Sequence, residues 1–296
     1  MQAPAFAESN CRLCGTTDCP AVLDCEGFQV RRCPSCTTLW CDPLRLPEDE
    51  SEVESQAGSE ADAPAIEDTY LSVDDTIQRE NNARLDLIRD LAPPSSHPRL
   101  LEIGCMHGGF VVQAKRAGYE GHGLDISQRA VDWAAEHNPG MVSFGTLDAS
   151  QPDDSLDVVA GFNVVEHMDD PGEFLDHVAR VLRPGGIFVA ETPAQESLYH
   201  HVLFGRAKVL QGRGSMEVGM HPGTHIFKFG RKAWTNVLRG RDFDVLDVQA
   251  KSTPLRELLA KTQTRGLVFA AGIVGFGLAQ RLTGLGNRVL VAARAP

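Results

Sequence analysis

The stretch that decides the fold is Leu100-Leu101-Glu102-Ile103-Gly104-Cys105-Met106-His107-Gly108-Gly109-Phe110. Its first residues read as a buried strand, the glycines as a turn, and the last residues as the start of a helix. Strand, tight turn and helix N-terminus together cradle a phosphate or carboxylate, because free backbone N–H groups and the helix dipole point at the ligand. The following strand, Gly121-His122-Gly123-Leu124, ends in Asp125. An acid about twenty residues beyond the turn is placed to meet a pair of ribose hydroxyls. The spacing is not the dinucleotide fingerprint G-x-G-x-x-G, which needs glycine at 106, where Met106 stands.

Outward from this stretch, strand and helix alternate from residue 99 onward, which predicts a parallel sheet with helices on both faces. Strands are expected at 99–103, 121–125, 141–144, 156–162 and 187–191, and helices near 108–117, 127–137 and 171–182. Pro184-Gly185-Gly186 reads as a turn. A helix at 231–240, a strand at 243–250 and a last strand at 288–293 complete the pattern. Before the last strand lies a mainly helical insertion, 254–284, with an apolar run from 267 to 282. Upstream, 70–91 reads as a helix with Ile77, Leu85, Ile88 and Leu91 on one apolar face, ended by prolines 93, 94 and 98.

The 296 residues suffice for a sizeable core. A net charge of −12 argues against a broad footprint on nucleic acid or anionic membrane. No stretch reaches the roughly 18 apolar residues of a membrane span, and the N-terminus has no signal-peptide pattern, so a cytoplasmic location is expected. Between Glu48 and Asp75 stand eleven acids and no Lys or Arg, a solvated linker to which no function is assigned.

Seven of the eight cysteines fall within the first 41 residues. Cys11-x2-Cys14, eighteen residues, and Cys33-x2-Cys36 supply four thiolates for a tetrahedral Zn²⁺, with room for a hairpin between them. Four cysteines close the coordination shell, so the zinc is expected to be structural. Cys19, Cys25 and Cys41 are spare, although Cys19 or Cys25 could replace one ligand.

Three later stretches carry further signals. After the third strand comes Phe144-Gly145-Thr146-Leu147-Asp148, where Leu147 can flank a flat ring and Asp148 can read its edge. Then come Leu156-Asp157-Val158-Val159-Ala160-Gly161-Phe162-Asn163-Val164-Val165-Glu166-His167, followed by Asp170-Pro171, and Val181-Leu182-Arg183-Pro184-Gly185-Gly186-Ile187-Phe188-Val189, followed by Thr192-Pro193. With Glu102-Ile103-Gly104 and Asp125, these resemble the motifs of class I S-adenosylmethionine-dependent methyltransferases. The N-terminal C-x2-C pairs, and the segment His221 to Asp244, resemble a bacterial subgroup of small-molecule methyltransferases that carry a zinc ribbon.

The resemblance implies a doubly wound α/β fold with a mostly parallel seven-stranded sheet, the last strand antiparallel. It divides the chain into a zinc ribbon (1–45), an acidic linker (46–68) and a methyltransferase domain (69–296) containing the insertion. It implies that Glu102, Gly104 and Gly108 surround the methionine part of the cofactor, that Cys105 and Ile126 also belong to the cofactor site, and that Asp125 takes the ribose. Leu147 and Asp148 would border the adenine, with Asn163 beside the sulfonium or carboxylate. Asp125 could instead simply cap the helix that follows. Met106 departs from the family's usual glycine, and a Cβ there would crowd the pocket or strain a positive φ.

The implied activity is methyl transfer to oxygen or carbon of a small molecule, such as a sugar or natural-product intermediate. No Asn/Asp-Pro-Pro-Tyr/Phe follows the fourth strand, which tilts the acceptor away from an exocyclic amine. Histidine suits a general base at neutral pH, and the candidates are His225, His221 and His167, with Tyr199, His200 and His201 behind them. The insertion is left with three roles: covering the acceptor, contacting a second copy in a homodimer, or touching lipid. Three rivals stand beside this reading. An RNA-directed methyltransferase is disfavoured by a ribbon with few basic residues. A non-catalytic scaffold is motivated by Met106. A nucleotide-dependent oxidoreductase is suggested by Ala271-Gly272-Ile273-Val274-Gly275-Phe276-Gly277, although Gln280 replaces the third glycine.

Overall fold

The computed structural model describes residues 9–25, 27–45, 75–92, 96–198, 200–202, 205, 220–252 and 267–296. The acidic linker, Tyr199 and the first half of the insertion lie outside these. In chain order the elements are β1 (Ala21–Asp24), β2 (Gln29–Arg32), β3 (Leu39–Asp42), α1 (Asp75–Leu91), β4 (Arg99–Ile103), α2 (Gly109–Arg116), β5 (Glu120–Asp125), α3 (Gln128–His137), β6 (Val142–Phe144) and β7 (Leu156–Phe162). A 3₁₀ turn (Val165–His167) follows, then α4 (Pro171–Val181), β8 (Leu182–Pro193), β9 (Phe227–Lys228), α5 (Arg231–Arg239), β10 (Asp244–Lys251), α6 (Leu267–Thr283) and β11 (Arg288–Arg294).

Seven strands form one sheet in the order β10-β11-β8-β7-β4-β5-β6. β4 pairs in parallel with β5 and β7, while β11 runs antiparallel to both β8 and β10. This is the expected doubly wound sheet with a reversed last strand. Alternate residues of its strands feed the two faces. Leu101, Ile103, Val159, Phe188 and Val291 face α4, α5 and the N-terminal segment, while Leu100, Val158, Ala160, Val189 and Leu290 face α1 and α2. α4 shows why its sequence is helical: the Asp170 carboxylate accepts from the Glu173 N–H at 2.9 Å, Pro171 opens the helix, and Phe174, Leu175, Val178 and Val181 are buried.

One expected boundary differs. Pro184-Gly185-Gly186 is no separate turn, because β8 runs from Leu182, opposite Leu156, through to Pro193. The glycines form an irregularity within the strand: Gly185 has φ +79° and its N–H donates to the Ala295 carbonyl, so the C-terminal end of the chain holds the strand open there. The run Ala271–Ala279 lies inside α6, so it is not a dinucleotide turn. α6 leaves Leu278 and Leu282 exposed. Among the described residues, no helix is long and apolar enough to cross a membrane.

The N-terminal segment does not stand apart. β1, β2 and β3 form a small antiparallel sheet, with the expected hairpin between the two C-x2-C pairs, and β9 adds the fourth strand through Leu39↔Lys228 and Trp40↔Phe227. Cys11, Leu13, Cys33, Cys36 and Trp40 belong to the same buried cluster as the face of the large sheet. Arg241 fastens the contact by donating to the carbonyls of Leu13 and Gly172.

Candidate active site

The turn after β4 owes its shape to three residues in the left-handed region. Gly104 has φ +69°, and a Cβ on it would sit 2.6 Å from Val164 Cγ2, so only glycine fits. Gly108, at φ +77°, is the residue from which α2 starts. Met106, between them, has φ +50°, the positive φ its position predicts. Its N–H donates to Asp125 Oδ2 at 2.7 Å, and the Ser127 N–H donates to Oδ1 at 2.8 Å. Ser127, not Asp125, caps α3, accepting from the Ala130 N–H. Asp125 therefore ties the turn after β4 to the end of β5, with one lone pair left on each oxygen.

Backbone strain at Met106 leads to a simple test. Met106→Val is expected to cost about 1–3 kcal/mol, because a β-branched side chain is disfavoured at positive φ. Met106→Gly should lie within about 1 kcal/mol of the parent, relief of strain offsetting the added freedom of the unfolded chain. Chemical denaturation of both variants checks the pair.

Arg84 was not among the residues singled out from the sequence, yet it lies at the ends of β4, β7 and β8. Buried on α1, it donates to Glu191 Oε1 at 3.0 Å and to Asn81 Oδ1 at 3.0 Å, and its guanidinium lies 4.1 Å from the Phe162 ring centroid. Its Nε has no hydrogen-bond partner. Arg288 and Glu80 extend the group, staple α1 to β8 and β11, and keep the guanidiniums paired. The only sequence signal was a polar pair, Asn81 and Arg84, interrupting an otherwise apolar helix face.

Glu102, on β4, is fully buried with Oε2 unpartnered. Burial pushes its carboxyl up to about 8, with Arg84 opposing that shift and Asp125 adding to it. The folded chain thus keeps this proton where the unfolded chain, at the usual 4.5, has lost it. The resulting stability is fully present below about pH 4.5 and fades as pH rises to about 8. The melting temperature should fall with pH over that interval, and Glu102→Gln should flatten the slope in a pH series.

The other expected cofactor contacts are only partly gathered. Cys105 is buried in the turn beside Gly123. Ile126, 65% exposed, follows Asp125 and stands near the strand ends with exposed Phe144. Leu147 is buried, whereas Asp148 is exposed, accepts from the Ser150 N–H, and has its carboxyl lowered by the Ser150 side chain first and by that N–H second, the behaviour of a turn acid. Asn163 is exposed at the end of β7 with φ +54°, held by its N–H donating to the Glu191 carbonyl.

Of the candidate bases, the structure brings His167 and His225 together, with ring centroids 4.8 Å apart. His167 Nδ1–H donates to the Thr224 carbonyl at 2.9 Å. Burial lowers the pKa of both rings, His225 to about 4, so both are neutral at pH 7. Glu166, completely buried below them, is pushed up to about 8 by burial. Lys228, on β9, is lowered to about 8 by its own burial. His221 is not part of this group: its Nδ1–H donates to the Pro222 carbonyl and its ring meets Phe28 edge-on. His200 is buried and His201 exposed, both on a short helical stretch away from any described contact with His167.

A model of a methyltransferase domain matches residues 76–248, more than half of the chain. The chain belongs to the methyltransferase-domain family. The domain is 32% identical over 133 residues to a ubiquinone biosynthesis O-methyltransferase of Caulobacter sp. (strain K31), covering 38% of this chain and 52% of the relative. It is 38% identical over 106 residues to a 2-methyl-6-phytyl-1,4-hydroquinone methyltransferase of Synechocystis sp. (strain ATCC 27184 / PCC 6803 / Kazusa), covering 34% and 33%. The chain thus spans about half the length, or less, of these curated relatives. Its fold matches geranyl diphosphate C-methyltransferase from Streptomyces coelicolor A3(2), solved with Mg²⁺, geranyl diphosphate and S-adenosyl-L-homocysteine, at 16% identity and TM-score 0.51 over 74% of this chain and 82% of that one.

Ahead of the methyltransferase domain, the four predicted zinc ligands converge. Their sulfurs lie within 4.8 Å of one another, with Cys11–Cys36 at 3.6 Å and Cys14–Cys33 at 3.5 Å. Zn–S bonds of about 2.3 Å in a tetrahedron would put sulfurs about 3.8 Å apart. Both knuckles close alike: the N–H groups of Gly15 and Thr37, each at positive φ, donate to the carbonyls of Cys11 and Cys33. The Cys36 N–H also points at Cys33 Sγ, 3.3 Å away. This donor set fits a structural Zn²⁺. Cys19 is buried nearby with its thiol on the Thr16 carbonyl, Cys41 is buried, and Cys25 is half-buried.

Proposed function

We propose that the chain transfers the methyl group of S-adenosylmethionine to an oxygen, or a carbon, of a small-molecule acceptor. One observation carries this reading. Val164 closes over Gly104 of the cradle, while Glu166 and His167, on the same short segment, meet His225. The cofactor end and a polar rim therefore share one stretch of backbone at the sheet's C-terminal edge, where ligands of such sheets bind. The relatives' names, an O-methyltransferase of ubiquinone biosynthesis and a hydroquinone methyltransferase, support a small-molecule acceptor.

In this reading Glu102, Gly104, Cys105 and Gly108 surround the methionine part and Arg84 faces its carboxylate. Asp125 offers its remaining lone pairs to the ribose, and Ile126, Leu147 and Asp148 border the adenine. Asn163 stands where the segment turns towards the acceptor. S-adenosylmethionine, when bound, supplies an electrophilic methyl on a sulfonium. The protein's task is alignment of acceptor, methyl and sulfur in line. His167 and His225, neutral at pH 7, border the acceptor, and the ribbon's zinc holds structure without touching the reaction.

Calorimetric titration of S-adenosylmethionine into zinc-loaded protein, followed by a screen of phenolic and other hydroxylated acceptors read by S-adenosylhomocysteine release, tests the proposal. Binding and release support it. A well-folded chain that does not bind the cofactor overturns it and leaves a scaffold as the reading to pursue.

A further inference from the structure

We propose that Glu166, His167 and His225 form a second metal site, for a divalent first-row transition cation, at the acceptor rim. The three ligand atoms, one from each residue, lie within 4.8 Å of one another and come from two separate segments. The proposal's use in catalysis rests on the methyl-transfer reading; the existence of the site does not.

The local geometry leaves a gap that a cation fits. A carbonyl can only accept, so His167 Nδ1 must be the protonated nitrogen in its bond to Thr224, and Nε2 carries a lone pair. That lone pair faces Glu166 Oε1 at 3.9 Å. Once Glu166 is ionised, as a bound cation would hold it, two acceptors face each other across a distance too long for a hydrogen bond. It is less than twice a metal–ligand bond of about 2.1 Å. Glu166 has no exposed surface, and neither of its oxygens has a hydrogen-bond partner among the described residues. A buried polar atom without a partner is costly, and such groups are normally hydrogen-bonded or bound to a metal. Lys228 acts on the Glu166 charge from β9, yet does not satisfy either oxygen by a hydrogen bond.

The surroundings resemble a built ligand shell. A metal-bound histidine usually donates its other N–H to a carbonyl or carboxylate, which fixes the ring, and the Thr224 carbonyl does this for His167. His225 follows Thr224 directly, on a turn held by Gly223 N–H donating to the Leu44 carbonyl and Thr224 N–H donating to the His221 carbonyl. Glu166 forms the closed floor. The His167 side chain is 43% exposed, so the site opens to solvent on the histidine side. Two imidazole nitrogens and one carboxylate oxygen suit Mn²⁺, Fe²⁺, Co²⁺ or Zn²⁺ and leave coordination positions free. An acceptor hydroxyl entering one of them would give up its proton to water more readily, leaving an oxygen able to take the methyl group.

The test uses the full chain with its ribbon zinc in place and Mn²⁺ as the probe, since manganese prefers oxygen and nitrogen ligands to thiolates. Free Mn²⁺ is followed by electron paramagnetic resonance, without cofactor or acceptor. One saturable Mn²⁺ per chain is expected, weakened at least about tenfold in Glu166→Gln and in His225→Asn, and unchanged in His221→Ala. Zinc content and melting of each variant show whether it has folded; His167→Asn serves if Glu166→Gln has not. Absence of saturable Mn²⁺ binding to the parent chain, or equal binding by folded variants, overturns the site. Neither result touches cofactor binding, which calorimetry reads separately, and a failure of methyl transfer leaves the Mn²⁺ result standing.

Discussion

Cys33→Ser, or stripping zinc with a chelator, is expected to lower the melting temperature by about 10 °C or more and to abolish methyl transfer at least about a hundredfold, while S-adenosylmethionine affinity changes far less. Structural zinc sites contribute on the order of 10 kcal/mol to the modules they hold, and about 1 kcal/mol corresponds to some 2–4 °C in a chain of this size. The effect reaches beyond the ribbon because the ribbon has no core of its own on that side. Cys33, Cys36 and Trp40 share a buried cluster with Val159, Phe188 and Trp234. The turn 220–226 hangs from the ribbon: Gly223 N–H bonds the Leu44 carbonyl, Cys41 N–H bonds the Ile226 carbonyl, and β9 exists only as a partner of β3. That turn carries His225. The cradle around Gly104 and Gly108, by contrast, is built on β4 and α2, with α2 packed on the opposite face against Leu85 and Ile88. Differential scanning calorimetry, zinc analysis and cofactor titration on one preparation separate the outcomes. A zinc-free chain that melts like the parent would show that the four cysteines do not hold a structural metal.

What the sequence disclosed follows from how local each feature is. The cradle was legible because a buried strand, three glycines and a helix start occupy eleven consecutive residues, and the strand–helix alternation extended the same logic to the whole sheet. The four-cysteine cluster was legible because each C-x2-C pair needs only its own knuckle. Arg84 was not, because a guanidinium on a buried helix face gains its meaning from Glu191 and Phe162, both far along the chain. His167 and His225 could each be named as candidates, but their meeting, and the separation of His221 from them, depends on the two-residue pairing of β9 with β3, too short to read from hydrophobic pattern. The glycines in β8 misled for a similar reason: Gly185 meets the carbonyl of Ala295, which no neighbouring residue announces.

The role given to Asp125 makes the second large prediction. Asp125→Ala is expected to weaken S-adenosylmethionine binding at least about a hundredfold and to lower stability by about 3–6 kcal/mol. The stability loss comes from the folded turn itself. The N–H groups of Met106 and Ser127 both lose an ionised acceptor at 2.7 and 2.8 Å, and a hydrogen bond to a charged group contributes about 1.5–3 kcal/mol. The binding loss has two sources, a cradle no longer held in shape and a missing partner for the ribose. Alanine removes both at once, so Asp125→Asn is the variant that separates them. An amide keeps one acceptor oxygen and turns an NH₂ towards the other N–H, so the turn must lose one of its two ties whichever way the side chain lies. Stability should fall nearly as far as in alanine. The amide can still accept from, or donate to, a ribose hydroxyl, so affinity should fall less. Ligand-induced shifts in melting temperature report affinity and stability together. If both variants bind the cofactor as the parent does and differ from it only in melting, Asp125 closes the turn without touching the ligand, and ribose recognition must be sought at Ile126 and beyond.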